Sequence, residues 1–200
     1  MEKITAIKQQ AKNQQRYSIF VDEKYSFSLS ELALINAELK LGQELSKDEL
    51  AKLKEESDLD KAYNRILNLL ARRVRSEWEI RDYLKRKKYD EDAIDKLLNK
   101  LSERHLVNDL SFANAWVENR RLLKNMSKRK LTQELRAKRV SDEIIDEVMG
   151  LDETNELEVL RELVERKKSR YPDKTKFMRY LAGQGFNYND IKTVLADKGN

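Results

Sequence analysis

Apolar residues fall at every second position near the N-terminus and at every third or fourth position after residue 46. The stretches ITAIKQQAK (4–12), RYSIFV (16–21) and KYSFSL (24–29) alternate apolar and polar residues, with β-branched and aromatic types on the apolar side, which predicts three strands. Asp22-Glu23 is short enough for a tight hairpin between the second and third, and Asn13-Gln14-Gln15 joins the first two. A short helix is expected around Glu31–Leu39, then a turn at Gly42. A three-stranded sheet this small is marginal alone, so a helix of the next segment should cover it. That segment opens with Ser46 and Glu49 at capping-box spacing, where side chains satisfy the free N–H groups of a helix start.

Beyond Ser46 one hydrophobic outline is written three times, over residues 75–94, 126–145 and 172–191. N-cap candidates come first: Ser76, Ser127 and Asp173. Apolar positions follow at Ile80/Leu131/Phe177 and Leu84/Leu135/Leu181, the i, i+4 stripe of a helix face. An apolar turn residue comes next (Tyr89, Val140, Phe186), then a second cap (Asp90, Ser141, Asn187), then Ile94, Ile145 and Ile191. Leu97-Leu98, Val148-Met149 and Val194-Leu195 close the pattern, with offsets of 51 and 46 residues throughout. Amphipathic helices precede each copy at 59–73, 110–124 and 155–168. Repeats of this kind stack on their neighbours to bury their apolar faces. The expected fold is mainly α: three tandem three-helix repeats in an elongated array, preceded by a small antiparallel β-containing N-terminal domain. The boundaries read as 1–57 for that domain and 58–108, 109–151 and 152–200 for the repeats.

Composition narrows the function. Of 200 residues 40% are hydrophobic and 38% charged, with five Gly and one Pro, the balance of a helical protein with much solvated surface. The absence of Cys excludes a disulfide framework, a thiolate metal site and a cysteine nucleophile, and fits a reducing cytoplasm. No 18-residue apolar run and no signal-like leader occur, so no membrane association is expected. The net charge of +5 is uneven: residues 1–60 hold 9 Lys/Arg against 12 Asp/Glu, and the remainder 32 against 24. A polyanion would meet the C-terminal part.

Three groups of residues carry a family likeness. The first is the start R-x-R-S-x-x-E-[IL]-x-x-x-L, at Arg73, Arg75, Ser76, Glu79, Ile80 and Leu84. The second is N-D-x-x-F-A-x-x-[WV], at Asn108, Asp109, Phe112, Ala113 and Trp116. The third is E-L-x-x-K-x-[IV], at Glu134, Leu135, Lys138 and Val140. Over residues 60–200 the chain resembles the RecX family of bacterial regulatory proteins, and its β-containing leader resembles that of longer members. The resemblance implies a modulator of the RecA recombinase that lies along the RecA filament on single-stranded DNA and inhibits strand exchange and ATP hydrolysis. Two departures stand out. The turn before the third helix carries Lys88 and Arg139 where the family often has Gly, and only Gly185 keeps it. The sequence Asn125-Met126-Ser127 also replaces a Gly-Pro-like junction. Both predict altered turn geometry.

The contact residues are sought among the cations. The densest run, residues 120–139, sets Arg120, Arg121, Lys124, Lys128, Arg129, Lys130, Arg136, Lys138 and Arg139 against the single acid Glu134. Surfaces built only for solubility interleave both signs, so this run reads as a surface for phosphates or an acidic groove. A second cluster at 72–88 holds Arg72, Arg73, Arg75, Arg81, Lys85, Arg86, Lys87 and Lys88. Trp78 lies within it, about 120° round the helix from Leu84, and either stacks on bases or packs on a neighbouring element. A third group runs Arg166, Lys167, Lys168, Arg170, Lys174, Lys176 and Arg179. Phe112, Trp116 and Leu123 read as core, and Asp109 as the cap of their helix.

Catalytic material is thin. His105 is the sole histidine and stands near a helix end; no Gly-rich phosphate loop or metal-ligand spacing occurs. Asp90, Glu91 and Asp92 sit where a helix start explains them. The reading is a non-enzymatic regulator without cofactor, a cytoplasmic monomer whose partners are the RecA filament and single-stranded DNA. The alternative is a helical-repeat protein that binds DNA, including duplex, independently of RecA. A third reading, a plain scaffold, predicts indifference to both.

Overall fold

Residues 1–196 are described by a computed structural model; positions 197–200 of the expected third repeat lie outside the described residues. The chain forms two compact units, one of residues 1–73 with 84–100, the other of residues 74–83 with the chain from 101 onward.

The first unit opens with an antiparallel sheet of β1 (Glu2–Gln10), β2 (Asn13–Val21), β3 (Lys24–Ser30) and a short β4 (Glu44–Leu45), in the order β3-β2-β1-β4. The fourth strand was not expected; two residues are too few to show alternation. The first hairpin turns at Ala11-Lys12, since Gln10 pairs with Asn13, which places Asn13-Gln14-Gln15 inside β2 rather than in the turn. At the second hairpin Asp22 and Glu23 both adopt positive φ, 46° and 67°, matching the strand twist. Two bonds hold that strained pair: Lys3 N–H donates to Asp22 Oδ1 at 3.1 Å, and Glu23 N–H to Thr5 Oγ1 at 2.9 Å.

Ser30 then caps α1 (Glu31–Asn36), and Gly42, at φ +84°, makes the turn into β4. Ser46 and Glu49 form the reciprocal capping box of α2 (Lys47–Leu70). This helix runs without interruption through the expected start at 59 and covers the sheet through Leu50, which packs with Ile4, Ile19, Val21, Phe27, Leu29 and Leu45. Asp60 of α2 ties the layers together. It pairs with Arg16 at 2.8 Å and accepts from the Ser30 N–H and hydroxyl at 2.9 and 2.6 Å.

The remaining helices are α3 (Glu77–Arg86), α4 (Glu91–Glu103), α5 (Asp109–Lys124), α6 (Lys128–Ala137), α7 (Asp142–Leu151), α8 (Glu156–Lys167), α9 (Lys174–Gly183) and α10 (Tyr188–Ala196). All six expected caps accept a backbone N–H from their own first turn: Ser76, Asp90, Ser127, Ser141, Asp173 and Asn187. In the second unit one core gathers Phe112, Leu131, Leu135, Val140, Ile145 and Val148. Another gathers Leu160, Leu163, Phe177, Leu181, Phe186 and Ile191.

The turns before the third helices are not altered. Lys88, Arg139 and Gly185 all take the left-handed conformation, with φ 64°, 58° and 93°. The following N–H closes on the same carbonyl each time: Tyr89 to Leu84, Val140 to Leu135 and Phe186 to Leu181. That is the Schellman closure, and the helix-ending bonds hold it even where a side chain makes it cost about 1–2 kcal/mol. Asn125 likewise serves in a left-handed cap (φ 48°) at the end of α5. His105 occupies the corresponding turn after α4 (φ 54°), its N–H donating to Ser102 O at 2.8 Å.

Candidate interaction surface

Of the residues that carry the family likeness, those within the second unit meet where the start of α3 abuts α5 and the α6–α7 turn. Ser76 caps α3 and also donates its hydroxyl to the Lys138 carbonyl at 3.2 Å. One turn on, Glu79 holds the Lys138 ammonium at 2.5 Å. Glu134 accepts from Trp116 Nε1 at 2.9 Å and from Arg120 Nε at 2.7 Å. The Arg120 guanidinium and the Lys138 ammonium lie 4.2 and 5.3 Å from the centre of the Trp116 ring, a cation–π arrangement that suits their shared burial. These side chains join helices; they are not the surface.

The Asn108-Asp109 pair divides its work in a way spacing could not show. Asn108, not Asp109, caps α5 by accepting from Ser111 N–H at 2.8 Å. Asp109 instead accepts from the Glu77 N–H at the start of α3, at 2.8 Å. Burial raises its carboxyl above the usual aspartate range, the Glu77 N–H opposes this, and the Glu77 charge adds to the rise. Leu123 is also corrected: it is exposed, while Phe112 is buried and Trp116 half-buried against it.

The dense basic run separates into engaged and uncommitted members. Arg121 is not a surface cation. Its guanidinium turns inward to Asp152 at 2.6 Å and Glu156 at 2.9 Å, and donates to the Met126 carbonyl. The Asp152 carboxyl feels burial, which raises it, but the bonds from Thr154 and Arg121 leave it below the usual range. Lys128 is held by the carbonyls of Met149 and Asp152, and Arg136 by Asp142 at 2.7 Å. With Arg120 and Lys138 in the α3 junction, five of the nine have partners. Among the described residues no ion pair or hydrogen bond engages the side chains of Lys124, Arg129, Lys130 and Arg139.

In the 72–88 cluster Arg72, Arg73 and Arg86 are exposed and Arg75 half-buried. Arg81 approaches Glu77 at 3.8 Å and Lys85 pairs with Glu91 at 2.8 Å. Trp78 remains 38% exposed. In the third group Lys168 pairs with Glu165 at 2.7 Å, while Lys174, Lys176 and Arg179 are exposed. Beside them Tyr180, unmarked by sequence reasoning, stacks on Tyr171 with ring centres 4.8 Å apart. Burial and the Tyr171 hydroxyl push its phenol up, against Arg166 and Arg170, so it is uncharged at neutral pH. Among the described residues no cluster of three or more His, Asp or Glu could hold a metal ion, and no helix is long and apolar enough to cross a membrane.

A helix-covered sheet in the first unit, and in the second unit helical sets whose cations are left unengaged, define a helical-repeat protein with a basic face. Comparison with known proteins gives the family. The model of the regulatory protein RecX N-terminal domain matches residues 2–46, and those of the RecX first and second three-helix domains match 62–101 and 108–149. Regulatory protein RecX of Clostridium beijerinckii is 30% identical over 98% of this chain and 95% of its own length. That of Listeria monocytogenes serotype 4a is 40% identical over 74% of this chain, a match that spans only 55% of the longer relative. A crystal structure of regulatory protein RecX superposes with a TM-score of 0.74 at 26% identity, covering 98% of this chain and 100% of that one. The chain belongs to the RecX family of regulatory proteins.

Proposed function

We propose that the protein is a non-enzymatic regulator that binds the RecA filament on single-stranded DNA and lowers its strand exchange and ATP hydrolysis, acting in cytoplasmic DNA repair and recombination control. Membership of the RecX family carries this reading. The uncommitted cations Lys124, Arg129, Lys130 and Arg139 support it, because a filament loaded with DNA is a polyanion to which unpaired cations give salt-dependent attraction. Successive helical sets offer several weak contacts at once, and linked weak contacts bind far more tightly than any one of them. The three-helix repeats, bounded as 58–108, 109–151 and 152–200, are the units of that docking.

Base reading in a duplex groove calls for Asn and Gln beside Arg on a recognition helix. The polar faces here are dominated by Arg and Lys and poor in Asn and Gln, which favours contact with backbone and protein. The test is single-stranded-DNA-dependent ATP hydrolysis by RecA, with the protein titrated at two salt concentrations and its own DNA binding followed in parallel. Loss of hydrolysis at amounts too small to coat the DNA is expected. Unchanged hydrolysis with salt-sensitive DNA binding would replace this reading by independent DNA binding. Charge reversal at Arg129, Lys130, Arg136 and Arg139 together is expected to abolish inhibition with helicity intact; inhibition that survived it would move the contact surface elsewhere.

A further inference from the structure

The start of α6 meets the α9–α10 turn through the same contact that joins α3 to the α6–α7 turn. Ser127 Oγ donates to the Gln184 carbonyl at 2.9 Å, as Ser76 does to the Lys138 carbonyl at 3.2 Å. Counting from the caps lets the two junctions be compared position by position. Three residues past the serine stand Glu79 in the first junction and Lys130 in the second. Seven and eleven past the next cap stand Glu134 and Lys138 in the first, Tyr180 and Gln184 in the second. Twelve past the caps of α5 and α8, Asn108 and Asn155, stand Arg120 and Lys167. The first junction therefore holds two acids and two bases that neutralise each other. The second has lost both acids, one to Tyr180 and one to a new base, Lys130; of the two bases it keeps one as Lys167, and Gln184 replaces the other.

The four second-junction residues line one cleft of about 560 Å³, together with Lys124 and Arg166. Its lining carries four cations and no carboxylate. Among the described residues the side chains of Lys124, Lys130 and Lys167 have no hydrogen-bond or ion-pair partner, and Arg166 reaches only the Leu123 carbonyl at 3.4 Å. The nearby acids are engaged elsewhere, Glu162 by Asn125 at 2.7 Å and Glu156 by Arg121.

We infer that this cleft between the second and third helical sets is an anion-binding site that takes the phosphate backbone of single-stranded nucleic acid. Four like charges in a lining that holds no carboxylate repel one another, and an anion in the cleft removes that repulsion. The volume falls within the range that holds a molecule of nucleotide size, about 300–1,000 Å³. The Tyr180 ring and exposed Leu123 give a base or sugar an apolar wall beside the charges, the combination that single-strand sites use. The choice of nucleic acid as occupant rests on the reading of the chain as a regulator of a DNA-bound filament. The cleft's preference for an anion does not.

The test uses the full chain without RecA, so its outcome is independent of filament regulation. Binding of a fluorescein-labelled oligothymidylate is followed by anisotropy across a salt series. The variants are Lys124→Gln/Lys130→Gln/Arg166→Gln/Lys167→Gln and a charge-matched control, Lys12→Gln/Lys40→Gln/Lys52→Gln/Lys54→Gln. Each phosphate neutralised on a single strand contributes about 0.7 to the log–log salt slope. The cleft variant is expected to lose about 3 from that slope and the control almost nothing. The pair Lys124→Gln/Arg166→Gln, both exposed, repeats the test at half the change should the quadruple variant fold poorly. Equal losses in cleft and control variants overturn the site. Displacement of the oligothymidylate by polyglutamate at matched ionic strength, more readily than by unlabelled oligonucleotide, overturns the nucleic acid and makes the occupant an acidic protein segment.

Discussion

The two junctions share a hydroxyl-to-carbonyl bond and differ in how their charges are settled. At the first, Glu79 and Glu134 take up Lys138 and Arg120, and the Trp116 ring completes the set. At the second, Lys130 and Tyr180 stand in the places of the two acids, and the cations face a cleft instead of each other. One stacking geometry thus serves once as a closed structural lock and once as an open basic surface. Architecture is carried by the cap, the turn and the apolar stripe; chemistry is carried by a few polar positions at fixed register.

The largest expected effect is at Gly185, where the second junction is tightest. A Cβ there would lie 2.2 Å from Ser127 Oγ on a backbone with φ +93°. Gly185→Ala should cost about 2–4 kcal/mol, from left-handed strain together with a displaced cap, read as a shift in the urea midpoint. Glu79→Gln at the first junction leaves Lys138 half-buried beside a neutral group, and a loss of about 1–3 kcal/mol is expected by the same measurement. The exchange Lys130→Glu/Gln184→Lys writes the first junction's ion pair into the second. Stability should change by less than about 1 kcal/mol, while the oligothymidylate salt slope falls by about 0.7 or more. A slope unmoved by that exchange would show that the difference between the junctions has no bearing on binding.

Smaller effects follow. Arg139→Gly relieves left-handed strain at the first junction's turn and should raise the melting temperature, by a gain of up to about 1 kcal/mol. Asp109, raised by burial, has a folded value above its unfolded one. Its contribution is fully present below the ordinary aspartate range and is lost as pH rises through the raised value. Urea midpoints across the acidic range should therefore decline with rising pH in the wild type relative to Asp109→Asn, which lacks the titration.

Much of the fold was legible. Caps, stripes and turn residues act over three to five positions, so Ser76, Ser127, Asp173 and their stripes could be read one repeat against another. The two-residue strand β4 was too short to alternate. The continuity of α2 was hidden because the capping box and the later amphipathic stretch read as two starts. The Asn108-Asp109 pair misled for a related reason: both residues suit a cap, and only the approach of α3 gives Asp109 its separate partner. In the candidate surface Lys124, Arg129, Lys130 and Arg139 remained available, whereas Arg121 turned inward to Asp152 and Glu156.

The chain's own order of residues was enough for the three-fold helical outline, the β-containing leader and the family, because capping, periodicity and turn closure are local. Which cations stay free was decided by tertiary structure. Arg121 meets acids 31 and 35 residues away, and Lys138 meets Glu79 59 residues away. A charge run in sequence shows how many cations there are, but only packing shows which have already found a carboxylate.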